Sequence, residues 1–181
     1  IGAVYNNYLT FNNNTSGLVD NRGMMTLLAN TVFSNYATIK NDSHVICNGT
    51  MKQFKTGTFT NNNYYRLTKE LRNYGSFYNN KTFIGQDSYI FENYNLFNNA
   101  NTATITTNFG MINKKENATN SDSVDLTNIK GYILNNGTFE HKSRVFTNNG
   151  LVTNNNILTN NDSITLGSTG SIINNHTFTN D

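Results

Sequence analysis

Catalysis and metal binding draw on acids, imidazoles, thiols and clustered bases, and this chain of 181 residues is sparing with all of them. It has 11 acids, 3 histidines and 1 cysteine. His44, His141 and His176 stand in unrelated neighbourhoods. None forms a ligand-spaced pair with Cys47 or with another histidine. Cys47 lies in the apolar run VIC, which predicts a buried and inert thiol. A single cysteine allows no internal disulfide, so the redox compartment is not readable from it. Asp122 and Asp125, in NSDSVD, have calcium-ligand chemistry, but the glycine-aspartate nonapeptide of calcium-binding β-rolls is absent. Asp122, Lys142 and Asp162 recur at regular intervals and predict an alternating surface charge ladder, worth little per pair. There is no phosphate-binding loop and no nucleophile elbow. The expectation is no enzyme, no metal and no cofactor.

Two other patterns bear on binding. Tyr64-Tyr65-Arg66 is the densest aromatic and basic spot. Alternation places Tyr65 in a core and turns Tyr64 and Arg66 outward, where they are candidates for contact with a glycan. TATIT at 102–106 and TFT at 177–179 suggest threonine rows of the kind that order water. They do not make one uninterrupted column. The 13 basic residues are scattered, with only Lys114 and Lys115 adjacent, and the net charge is +2. A nucleic-acid partner needs a basic stripe, which is missing. No apolar run reaches the length of a membrane span. No signal peptide is visible, and a start at Ile1 reads as a mature product or an excised piece.

What must position these residues is a repeat. Hydrophobic content is 36% and charged content 13%, with no Pro and no Trp, and Asn makes up about a fifth of the chain. ILNNGTF at 133–139 returns as IINNHTF at 172–178, with echoes in LRNYGSF, FSNYATI and YNNYLTF. The last sixty residues divide into three units of twenty, and the frame extends backward to give ten segments, of which 1–14, 15–28 and 87–101 are short. One column of the frame is apolar throughout: Phe11, Met25, Ile39, Phe59, Phe77, Phe97, Ile112, Tyr132, Val152 and Ile172. A second holds Asn7, Asn21, Asn35, Asn73, Asn93, Asn108, Asn128 and Asn148, and Gly recurs two places later. A third holds Val45, Tyr65, Phe83, Leu158 and Phe178, with Phe139 one residue late.

Anchors six residues apart all face one way on alternating strands, and the three-and-four spacing of an amphipathic helix is absent. The fold class this predicts is all-β: a three-sided parallel β-solenoid, one domain over 1–181. About ten coils at ~4.8 Å would make a rod of roughly 45–50 Å. The two short opening coils are expected to have two sides only. Asn and Gly at the corners suit a left-handed backbone. Stacked Asn can also bond from coil to coil, which makes the eight asparagines above a structural ladder.

The pattern apolar-x-Asn-x-Gly-x-apolar in FTNNGLV, ILNNGTF and LRNYGSF resembles the repeats of filamentous-haemagglutinin-type adhesins and related right-handed β-helices. That resemblance implies an extracellular or cell-surface location, a right-handed fibrous shape and an adhesive or structural role, with surface glycans or a host surface as partners. Neither end of the repeat reads as capped, so self-association through the solenoid ends is expected. The leading expectation is a non-catalytic fibre subunit stacking end to end, or a rod segment of an adhesin. The alternatives are a carbohydrate-binding or polysaccharide-cleaving β-helix and, third, an ice-binding solenoid. Asn-x-Ser/Thr sequons at Asn13, Asn14, Asn41, Asn48, Asn80, Asn117, Asn136, Asn161 and Asn175 match what the composition gives by chance.

Overall fold

A computed structural model describes residues 4–7, 10–86, 91–107, 111–113, 132–142 and 146–181. Most strands are four residues long, and most of the corners between them hold two to four residues. Buried and part-exposed positions alternate along each, as in Tyr64–Leu67, Glu70–Asn73 and Ser76–Asn79. Consecutive strands go to three different sheets, and every pairing is parallel. Sheet A runs from Val4–Asn7 to Thr177–Asn180 in nine strands. Sheet B runs from Thr10–Asn13 to Ile164–Leu166, and sheet C from Leu18–Asn21 to Ser171–Asn174, each in eight. The result is the three-sided parallel β-solenoid. Among the described residues it makes about eight turns, fewer than ten, and sheet A spans about 38 Å at ~4.8 Å per strand.

The opening turns are full ones. Val4 pairs with Met24, and Met24 with His44, so each is a turn of three strands with no narrow start. Phe11 pairs with Phe33 in sheet B, and Met25 with Val45 in sheet A, so neither belongs with Ile39. Ile39, Phe59, Phe77, Phe97, Val152 and Ile172 do share one column, in sheet C. Its member in the sixth turn is Ile133 rather than Tyr132 or Ile112. Val45, Tyr65, Phe83, Phe139, Leu158 and Phe178 all lie in sheet A's inward column, and Phe139 is in step with the rest.

Rings fill the middle of the rod. Phe59, Phe77 and Phe97 stack at centroid distances of 4.7 and 5.0 Å, and Tyr65 stacks on Phe83 at 5.2 Å. The two stacks meet edge to face, with Phe77 5.6 Å from Tyr65 and 5.7 Å from Phe83. Each such pair adds about 0.5–1.5 kcal/mol beyond its buried area.

The asparagines obey a different rule from the one expected. Among the described residues the only non-glycine with positive φ is Asn30, at 67°, and no glycine has positive φ. Corner Asn is therefore not selected for a left-handed backbone. It is selected for its amide. Asn41 Oδ1 accepts the backbone N–H of Ser43 (3.2 Å), and its Nδ2 donates to Ser43 O, to Tyr64 O and to Asn61 Oδ1 of the next turn. One side chain thus closes its own corner and ties it to its neighbour. Glycine two places later answers to crowding. A Cβ at Gly75 would fall on the carbonyl oxygens of Gly57 and Phe54, and one at Gly137 on those of Ala100 and Ala103.

Candidate functional site

The ladder is two ladders. In sheet C it runs without a break through Asn21, Asn41, Asn61, Asn79, Asn99, Asn135, Asn154 and Asn174, each donating to the next over 2.7–2.9 Å. Only Asn21 of that row was expected. Sheet B holds Asn35, Asn73, Asn93 and Asn148, together with Asn13 and Gln53. Its links are broken at Gln53, which accepts from Asn35 but turns its own amide to Ser76 O, leaving Asn73 Oδ1 buried and unpartnered. Asn7 belongs to sheet A, where its register partner is Leu27. Asn108 and Asn128 lie outside the described residues. Sheet A fills the equivalent place with Leu27, Cys47 and Leu67 in its first half.

Cys47 is fully buried there, with its thiol 3.4 Å from Gly49 O. Burial is the main cause that pushes the thiol up from 9.0 to about 12. The native chain should resist thiol alkylation at pH 8.5 and react only once denatured. The unfolded thiol ionises near its ordinary value and the folded one does not, so stability should fall as pH rises from about 9 toward 12. Labelling read by mass spectrometry with and without urea checks the first. Fast labelling of native protein would refute it.

The described charged side chains cluster most closely on the outer face of sheet B. Arg72 Nε lies 2.5 Å from Glu70 Oε1 and 3.5 Å from Glu92 Oε2, and Tyr94 Oη donates to Glu92 Oε2 over 2.9 Å. Burial works to lower the Arg72 guanidinium, but Glu70 and then Glu92 outweigh it and hold it above its usual range. Burial first, then the Glu92 carboxylate, raises the Tyr94 phenol. Beside these groups a row of rings follows the corner from sheet B to sheet C. Tyr36 stacks on Phe54 at 4.0 Å, Phe54 on Tyr74 at 6.3 Å and Tyr74 on Tyr94 at 4.4 Å. Phe54, Tyr74 and Tyr94 are only 3%, 4% and 6% exposed. Their faces are spent on each other, so they offer a sugar no stacking surface. This cluster was missed in the sequence, although Arg72-Asn73-Tyr74 and Glu92-Asn93-Tyr94 are in register and carry the signal.

Tyr64 and Arg66 do point outward from sheet A, half-buried, while Tyr65 is in the core. The Tyr64 ring leans on His44 of the preceding turn at 5.3 Å. Arg66 Nε is buried without a partner. These two candidates are not joined to the acidic cluster, which lies on another side. Of the expected charge ladder, Lys142 and Asp162 do not share a column: the register sets Lys142 beside Asn161, and Lys142 pairs with Glu140 at 3.3 Å. Asp122 and Asp125 lie outside the described residues. Thr82, Thr104 and Thr138 share a column of sheet A, which Ile157 interrupts before Thr177. Glu140 interrupts the column beside it. The sequon residues Asn13 and Asn41 are buried ladder members, whereas Asn80 and Asn175 are exposed. Among the described residues, no three His, Cys, Asp or Glu side chains are grouped to hold a metal ion. Comparison of the chain with protein-family models, with curated proteins and with solved structures finds no match.

Proposed function

We propose that the chain is a non-catalytic structural rod, a fibre subunit or a rod segment of an adhesin, working outside the cell or at its surface. The observation that carries this reading is the unbroken amide ladder from Asn21 to Asn174. Seven links, each worth roughly 0.5–1.5 kcal/mol, are invested in holding turns together along the axis. The outer groups support it too, since Glu70 and Glu92 are both paired with Arg72 and the neighbouring rings are covered. The extracellular setting rests on the resemblance of FTNNGLV, ILNNGTF and LRNYGSF to adhesin repeats.

A polysaccharide-binding or polysaccharide-cleaving role has one observation behind it, the two carboxylates that share Arg72 beside a row of rings. Incubation of the purified chain with a panel of polysaccharides tests both readings. The rod reading expects no new reducing ends and no retention on immobilised glycans. Release of sugar that disappears in Glu92→Gln would overturn it.

A further inference from the structure

The outer face of sheet A is complementary to itself. We infer that its partner is the same face of a second copy of this chain, with the two rods side by side and antiparallel.

An orphan cation points to the contact. Arg66 projects from the fourth of the nine strands of sheet A. Ile46 and Ile84 flank it in its column. Its Nε is buried without a partner, and among the described residues no acid pairs with it. A guanidinium partly out of water beside apolar neighbours is costly unless a carboxylate meets it. The outward columns of this face hold one carboxylate, Glu140, in the same column as Arg66 but three strands on. At ~4.8 Å per strand that is about 14 Å away, too far for the two to meet within one chain. Glu140 Oε2 is held by Lys142 in an exposed pair worth little, and a carboxylate has a second oxygen to offer.

A two-fold axis parallel to the strands reverses their order and leaves each column facing itself. Placed between the fifth strand, Thr82–Gly85, and the sixth, Thr104–Thr107, it sets the fourth strand against the seventh. Arg66 of each copy then meets Glu140 of the other, and symmetry makes the ion pair twice. In the neighbouring column Tyr64 meets Thr138, and Thr82 meets Thr104. Aligned sheets pack about 10 Å apart, a gap that an arginine and a glutamate close when they reach from opposite sides.

Bulk agrees with charge. Met24, His44 and Tyr64 make the first half of that column tall. Thr82, Thr104, Thr138 and Thr177 make the rest low, with Ile157 the exception. Antiparallel rods seat the tall half of one copy on the low half of the other. A two-fold pair of parallel rods would set tall on tall and leave both charges unmatched. The footprint is about 34 Å by 13 Å on each copy, at the small end of specific interfaces, so the dimer is weak and forms at roughly 10–100 μM. The contact lies on the side of the rod and does not involve its ends.

Sedimentation of the full chain tests this. The unmodified chain should dimerise. Arg66→Glu and Glu140→Arg each set like charges face to face at two places, and each should weaken the dimer by about a hundredfold. Mixed one to one, the two variants should pair again, since every contact between copies then joins opposite signs. An unmodified chain that stays monomeric at about 1 mM overturns the inference. So does either variant that dimerises alone as well as the unmodified chain, and so does a mixture that stays monomeric. Circular dichroism identifies a variant that fails to fold. Thr104→Lys, at an exposed position beside the axis, then decides. It should weaken the dimer by about tenfold or more, and unchanged dimerisation would sink the inference. Sugar release in the polysaccharide assay would sink the rod reading and leave the sedimentation result standing, so the two failures are told apart.

Discussion

Replacing Asn79 with alanine is expected to destabilise the rod by about 3 kcal/mol, while the same change at the next residue, Asn80, should cost under about 0.5 kcal/mol. Asn79 is fully buried at the corner between sheets C and A. Its amide donates to Asn99 Oδ1 (2.9 Å), Thr104 O (3.2 Å) and Lys81 O (3.3 Å), and its oxygen receives Asn61 Nδ2 at 2.8 Å. Alanine removes all four contacts and strands Asn61 and Asn99 in a dry corner, where each unsatisfied group costs about 1–3 kcal/mol. Backbone carbonyls that keep their strand partners soften the loss, so the sum falls well below four times that figure. Asn80 also makes an inter-turn amide bond, to Asn62 Oδ1 at 2.8 Å, but in water. There solvent replaces the lost partner. Urea unfolding of the two variants separates burial from mere bonding. Equal losses would mean that the inner ladder carries no special weight.

The same pair of residues shows what the sequence could and could not reveal. Alternation and a twenty-residue spacing disclose strands, three sides and parallel stacking, because inward columns such as Val45, Tyr65 and Phe83 repeat their own kind. The identity of each corner is hidden. ILNNGTF turns from sheet C into sheet A, and LRNYGSF turns from sheet B into sheet C. Both need an inward anchor, a buried Asn, a small residue pressed against carbonyls and a new anchor, so identical chemistry leaves identical letters. A frame built on that pattern can slip by one side of the triangle and still look regular. The slip merged Asn21 of one ladder with Asn35 of another and cut residues 1–28 into two coils of fourteen. The Arg72 and Glu92 pairing is legible even in that frame, which sets Asn73 and Asn93, and so Arg72 and Glu92, in one column. Tyr64 and Arg66 escaped the problem, since facing outward follows from alternation within one strand.

Phe77→Ala is the substitution expected to cost most, about 4 kcal/mol. Phe77 is fully buried between Phe59 and Phe97, and its edges meet Tyr65 and Phe83. Alanine leaves a cavity that four rings border. The strands cannot collapse into it, because their separation is fixed by the hydrogen bonds from Thr58–Asn61 to Ser76–Asn79 and on to Leu96–Asn99. The solenoid gives this loss a second consequence. Each turn touches only its neighbours, so stability is close to a sum of turns and interfaces, and cooperativity depends on the weakest interface. Phe77 sits near the middle of the stack. Emptying it should split one unfolding transition into two, as the halves on either side melt separately. Phe178→Ala removes the same side chain from the last turn, where it is 39% exposed and packs from one side. That change should cost under about 1.5 kcal/mol and leave one transition. Calorimetry of the two variants decides. A single transition in Phe77→Ala, with a loss no greater than in Phe178→Ala, would show that the backbone and amide ladders, rather than the stacked rings, make the rod one cooperative body.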